Sequence, residues 1–336
     1  VFGREMYFDA EQWDRIRTLW MSRGRKGEPP ESNKQQVMLP GGCTVLENPI
    51  GTAPGILLED DIGRWTAMLP GVPSEMRAML TERLIPLLQG RGKLSGRVVR
   101  SRTVRTTGVA ESMLTEMLGD CARGFVNASL AYLPGVDGVD LRVTIRDAEP
   151  HAAERSLQAH ADVLRERVGK FVYAEGTADM PEIVLELCRQ RGLTIAVAES
   201  CTGGLLAERL TAVPGASDVF VGGVVSYSND VKEQMLGVPR DALVADGAVI
   251  VAVARAMASG VRERLSADIG IAITGVAGPG GGSPEKPVGY VWIALDTGDW
   301  QRAYSGRFFI SRDEIRFRAT QSALDALRRR LALPDG

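Results

Sequence analysis

The sequence predicts an α/β protein whose C-terminal half is a layered domain built on a mostly parallel sheet. Three observations predict it. From residue 181 onward, apolar runs of strand length alternate with amphipathic runs of helix length, the pattern of strands separated by covering helices. Polar or glycine-rich corners follow strand ends at 199–204, 226–232 and 274–283, and sites in such folds lie off the carboxyl ends of strands. The length, 336 residues, exceeds one ordinary core, so two or three domains are expected.

Taken in order, residues 9–23 read as a helix: Asp9 caps it, Gln12 stands three residues on, and Gly24 stops it. Residues 31–37 read as a second short helix. Turn-punctuated strands follow at 44–46, 55–59 and 65–69, with Pro/Gly loops at 48–55 and 69–75, and Ser74 is placed to cap a helix from Glu75. Residues 90–96 form a linker by composition. Strand 98–105, helix 111–118, strands 129–133 and 139–146 and helix 150–168 make a small α+β unit ending near Tyr173. After a second linker at 176–180 come helix 181–191, strand 193–198, helix 203–212, strand 219–226 and helix 230–236. Helix 251–265, strands 268–274, 288–295 and 304–310, and a last helix 312–331 complete the chain.

Bulk composition removes several classes of function. A net charge of −2 gives no global polycation to drive nucleic-acid binding. The four cysteines, Cys43, Cys121, Cys188 and Cys201, are scattered without CxxC spacing, so neither a zinc site nor a disulfide framework is expected and a reducing cytoplasm is the default. No apolar run reaches transmembrane length and no secretory signal opens the chain. Its first residue is valine, and Phe2-Gly3-Arg4-Glu5 lacks the character of a start, so a truncated front is expected. The two histidines, His151 and His160, lie away from the hydroxyl-rich corners, so a base acting there falls to Lys, Tyr or a carboxylate.

The first corner, Glu199-Ser200-Cys201-Thr202-Gly203-Gly204, puts two hydroxyls and several N–H groups at a helix N-terminus, which favours developing negative charge. Ordinary helix capping and close strand–helix packing explain the same residues equally well. Cys201 reads as a small packed residue. In the second corner, Tyr227, Asn229 and Lys232 precede or open a helix with Asn229 as its cap, and a lysine in a first turn works against the helix dipole. The third corner lacks both the Gly-Lys-Ser/Thr ending and the GxGxxG spacing of phosphate loops. A basic run, Arg91, Lys93, Arg97, Arg100, Arg102 and Arg105, has no interleaved aromatic and reads more readily as a solvated face than as a nucleic-acid surface.

Together Ala198-Glu199-Ser200-Cys201-Thr202-Gly203-Gly204, Gly223-Val224-Val225-Ser226-Tyr227-Ser228-Asn229 and Gly275-Val276-Ala277-Gly278-Pro279-Gly280-Gly281 closely resemble the C-terminal domain of the CinA family, the nicotinamide mononucleotide deamidase. The resemblance implies three segments: a partial molybdopterin-binding-like α/β domain at 1–92, a KH-type α+β domain at 93–175, and a three-layer α/β/α sandwich at 176–336. It implies Ser200 as nucleophile, Lys232 as base and Tyr227 as its partner. Thr202 and the Gly203 and Gly204 amides become oxyanion candidates. Asn229, Thr274, Gly275, Gly278, Gly280 and Gly281 would serve substrate binding, and Arg312 or Arg316 would pair with its phosphate. Deamidation would need no metal; a divalent ion would matter only to an intact N-terminal pyrophosphatase domain. The partner implied is the nucleotide itself, with no nucleic acid and no membrane, in a cytoplasmic homodimer. Two departures stand out. The family's metal- and diphosphate-binding segment begins upstream of Val1, and Ile250 stands where the family usually has a serine. The alternatives are an ADP-ribose pyrophosphatase working through the N-terminal domain and a non-catalytic, nucleic-acid-associated competence protein.

Overall fold

The computed structural model describes residues 3–92, 98–125 and 127–332. The chain divides into two compact units, 1–96 and 97–336. In the first, α1 (Ala10–Ser22) opens where its cap was expected, with the Asp9 carboxylate accepting from the Gln12 N–H at 3.0 Å. The 31–37 stretch is a 3₁₀ helix. Strands β1 (Met6–Phe8) and β2 (Met38–Pro40) pair antiparallel, as do β3 (Thr44–Leu46), β4 (Gly55–Glu59) and β5 (Trp65–Met68) in a separate sheet. Ser74 does not cap: α2 (Pro73–Met79) starts two residues earlier than expected, with Val72 at the cap position, because Pro73 suits a first helical position and needs no N–H partner. The unit's last helix is α3 (Ile85–Gly90).

The second unit begins with a four-stranded antiparallel sheet in the order β7-β8-β6-β9. Its strands are β6 (Val98–Thr106), β7 (Ala128–Pro134), β8 (Val139–Ala148) and β9 (Val172–Glu175). Helices α4 (Glu111–Leu118) and α5 (Pro150–Val168) share one core with it, through Leu114, Leu118, Leu157 and Leu164 against Val104, Leu141 and Val143. Two members of the basic run are ion-paired on this sheet: Arg102 pairs with Glu154 and Glu175, and Arg105 with Asp137, Asp140 and Asp179. Lys93 and Arg97 lie outside the described residues.

A five-stranded sheet follows, in the order β11-β10-β12-β13-β14. Its strands are β10 (Ile195–Glu199), β11 (Phe220–Val225), β12 (Ile269–Gly275), β13 (Tyr290–Asp296) and β14 (Gln301–Arg307). The helices are α6 (Met180–Arg191), α7 (Leu205–Thr211), α8 (Asn229–Leu236), α9 (Arg240–Asp246), α10 (Val251–Arg264) and α11 (Arg312–Leu331). β10 pairs parallel with β11 and β12, whereas β13 is antiparallel to both its neighbours. The sheet is therefore mostly parallel in direction, with β13 the one reversed strand.

Side-chain size sorts the two faces. On β10 and β12, Ile195, Val197, Ile269, Ile271 and Ile273 point toward α6, α7 and α11. The opposite parity, Ala196, Ala198 and Ala272, faces α8, α9 and α10. Small residues let α10 lie close on the sheet. A Cβ at Gly270 would come within 2.1 Å of the Ala258 carbonyl, so any side chain there would push the helix off. The result is the expected three-layer arrangement, with the carboxyl ends of β10, β11 and β12 side by side.

Candidate active site

β10 ends at Glu199, and the chain turns through five residues before α7 begins. The turn requires φ of +60° at Gly203 and +96° at Gly204, values that a side chain resists. Two bonds tie it to the neighbouring strand ends: the Ser200 N–H donates to Ile273 O (2.9 Å) and the Ser226 N–H to Glu199 O (2.8 Å). Ser200 thus stands where three parallel strands finish.

The second corner brings Lys232 to it. α8 starts at Asn229, and its cap is Ser228, whose hydroxyl accepts from the Val231 N–H at 3.3 Å; Asn229, exposed in the first turn, is not the cap. The register places Lys232 on the inner face of that helix, 1% exposed. Its Nζ donates to Ser200 Oγ (3.1 Å) and to Ser226 O (2.6 Å). Burial lowers its pKa from the ordinary lysine range. Asp230 is exposed and Glu233 turns toward Arg240, so neither stabilises the ammonium. The hydroxyls of Thr202 and Ser226 are buried and have no hydrogen-bond partner among the described residues. A buried hydroxyl without a partner is open to a water or a ligand atom. Cys201 is buried, and burial pushes its thiol up to about 12, so the sulfur stays protonated.

Glu199 is the residue that sequence reasoning missed. Its carboxylate, 1% exposed, accepts from the N–H groups of Gly204 (3.1 Å), Leu206 (3.0 Å) and Ala207 (2.8 Å). It fills the N-terminus of α7, a position that both the free N–H groups and the helix dipole favour for an anion. This corrects the assignment of the Gly203 and Gly204 amides to an oxyanion. Gly204 N–H is spent on Glu199, and Gly203 N–H donates to Ser200 O at 3.1 Å. The backbone bonds of the corner do not use the N–H groups of Cys201 and Thr202.

The remaining candidates divide. Tyr227 is 64% exposed and makes no hydrogen bond to Lys232 among the described residues; its hydroxyl accepts from Arg312 at 3.2 Å. Arg312, in the first turn of α11, also donates to Gly278 O, so it links the second and third corners at the site's rim. Arg316 instead clamps the first corner, donating through Nε and Nη to Thr202 O at 3.1 and 2.7 Å, which leaves it poorly placed for a phosphate. Thr274 is fully buried and its hydroxyl donates to Ala248 O at 2.9 Å, so it holds the loop before α10. Gly275 packs against Tyr290 and Val291, whereas Gly280 and Gly281 are exposed with open space around them.

A family model described as "CinA C-terminal domain" matches residues 177–331, and one described as "Damage-inducible protein CinA KH domain" matches 101–174. A CinA-like protein of Gemmatimonas aurantiaca is 53% identical over 336 residues, all of this chain and 78% of the relative. The chain belongs to the CinA family. A CinA-like protein of Gloeobacter violaceus is 45% identical over 318 residues, 94% of this chain and 74% of the relative. Among solved structures, the competence/damage inducible protein CihA of Agrobacterium tumefaciens is 42% identical and covers 45% of this chain and 96% of its own, with a TM-score of 0.42.

In this CinA-family chain Ile250 shapes the start of α10. Ile250 is the N-cap of α10, no side chain caps that helix, and its first turn carries no acid. Among the described residues there is no group of three or more His, Cys, Asp or Glu able to hold a metal, and no helix is long and apolar enough to cross a membrane.

Proposed function

We propose that this CinA-family chain hydrolyses the carboxamide of nicotinamide mononucleotide, yielding nicotinic acid mononucleotide and ammonia. The observation that carries the reading is the buried Lys232 amine, 3.1 Å from the Ser200 hydroxyl and without a carboxylate partner among the described residues. A lysine kept away from carboxylates and water is held toward its neutral form, and a neutral amine is a base. Ser226 O takes one amine hydrogen and holds the nitrogen beside Ser200 Oγ, where a neutral amine accepts the hydroxyl proton.

Ser200 Oγ then attacks the carboxamide carbon while its proton passes to Lys232. The oxyanion meets the N–H groups of Cys201 and Thr202, the amides that the corner leaves open. The Lys232 ammonium returns the proton to the departing nitrogen, ammonia leaves, and an ester to Ser200 remains. Water, deprotonated by Lys232, hydrolyses that ester and frees the carboxylate. Arg312, at the rim between Tyr227 and Gly278, is the better placed of the two arginines to meet the 5′-phosphate. Neither step calls for a metal. A cytoplasmic homodimer is the setting that the family resemblance supplies.

The reading is tested by incubating this chain, treated with EDTA, with nicotinamide mononucleotide. Ammonia and nicotinic acid mononucleotide in equal amounts are expected. Free nicotinamide as the product, or activity lost to the chelator and restored by a divalent ion, would overturn it.

A further inference from the structure

The C-terminal end of α11 carries Arg328, Arg329 and Arg330, and the cavity beside them differs in charge from the rest of the chain. Its volume is about 850 Å³, and it lies between the α+β portion of the second unit and the five-stranded sheet. Among the described residues its lining carries five cations, those three arginines with Lys170 and Arg302, against the single carboxylate of Asp325. Asp325 is already shared: Arg328 donates to one of its oxygens (2.9 and 2.7 Å) and Arg329 to the other (2.7 Å). Arg328 also donates to Lys170 O (2.8 Å) and Val172 O (3.1 Å), which fixes the cavity wall.

The other three cations have no carboxylate within ion-pair distance among the described residues. Each lies on an aromatic ring instead: Lys170 on Phe171 (5.4 Å to the ring centre), Arg302 on Tyr304 (5.8 Å) and Arg330 on Trp300 (5.3 Å). A ring face positions a cation without neutralising it and leaves its edge N–H donors unspent. The contrast with Arg105, which three aspartates surround, is direct. Like charges gathered around one concavity repel one another and concentrate a positive field in it, and an anion relieves both. The cavity's size is that of a small-molecule site, and half-buried Trp300 and Tyr304 give it apolar surface.

We propose that this cavity binds a small polyphosphate anion, with Arg302, Arg330 and Lys170 holding adjacent phosphates. The site is distinct from the Ser200–Lys232 pair, and its occupancy bridges the two parts of the second unit. A free nucleotide and an inorganic polyphosphate share this chemistry, and the probes separate them.

The test is calorimetric titration of the full chain with ADP, with tripolyphosphate and with a single-stranded oligonucleotide, at low and at moderate salt. Saturable binding of ADP or tripolyphosphate that weakens with salt is expected, the tighter of the two naming the source. Arg302→Gln with Arg330→Gln should weaken it by about 10²-fold or more, the loss expected for two charge-assisted contacts. Neither residue belongs to the deamidation site, so unchanged ammonia release from nicotinamide mononucleotide by the double variant reports that it is folded. No saturable binding of either probe, the same affinity in the double variant, or an oligonucleotide bound about tenfold more tightly than both probes would overturn the proposal.

Discussion

Lys232 Nζ lies 3.1 Å from Ser200 Oγ, and the carbonyl of Ser226 holds it from the other side at 2.6 Å. An amine so enclosed titrates below the ordinary lysine range, and the rate of a reaction that uses it as a base rises with pH through that lowered pKa. Lys232→Met should cut turnover by about 10²-fold or more with a modest change in KM. Lys232→Arg should not rescue it, because arginine stays protonated. Steady-state kinetics across pH decide the matter, and near-full turnover in Lys232→Arg would remove lysine from the base role.

The same burial sets a stability signature. The folded protein disfavours the Lys232 ammonium, so between the lowered folded pKa and the ordinary value near ~10.4 the unfolded chain binds more protons at this site, and its contribution to stability rises with pH. Lys232→Met removes the titration. Its melting temperature relative to the parent should therefore be most favourable at acidic pH and become less so as pH rises. Calorimetric scans from pH 6 to 9 check this, and a difference that does not change with pH would contradict it.

Glu199 holds the Ser200 corner through the N–H groups of Gly204, Leu206 and Ala207. Glu199→Gln turns an acceptor-only group into one whose amide hydrogens face donors. A loss of about 2–3 kcal/mol is expected from the weakened charge-assisted bonds. Turnover should fall as Ser200 loses its support. Denaturant titration measures the first effect; an unchanged midpoint would mean that the carboxylate does not hold the corner.

Ile250 leaves the N-terminus of α10 without a side-chain cap. Ile250→Ser, at a position with extended backbone, should stabilise the second unit by about 0.5–2 kcal/mol, the range for gaining such a cap. Chemical denaturation followed by circular dichroism reads the change. A destabilised variant would show that the contact of Ile250 with the α10 core outweighs the cap.

Much of this arrangement was legible because periodicity and corner chemistry agree. Strand-length runs of Ile and Val bounded by helices gave the layers, and Ser200, Thr202 and Lys232 announced themselves as polar residues at strand ends. What stayed hidden depended on direction in space. Glu199 reads as the last residue of a strand, and nothing local says that its carboxylate folds forward over five residues to seal the next helix. The exchange of Asn229 for Ser228 as cap is a one-residue boundary shift between two good capping residues. Arg312 and Arg316 share a helix and a spacing of four, and only the packing of α11 against the first and third corners separates the clamp on Thr202 from the residue at the rim. Thr274 looks like a ligand in sequence because its partner, the Ala248 carbonyl, lies 26 residues away.

The central claim is that Ser200 and Lys232 together cleave an amide of a pyridine nucleotide. Continuous measurement of ammonia released from nicotinamide mononucleotide by the full chain and by Ser200→Ala tests it most directly. Steady release by the parent is expected, with a loss of about 10³-fold or more in the variant, as when a nucleophile is removed from its base. Equal release by both proteins, or none by the parent, would contradict the claim.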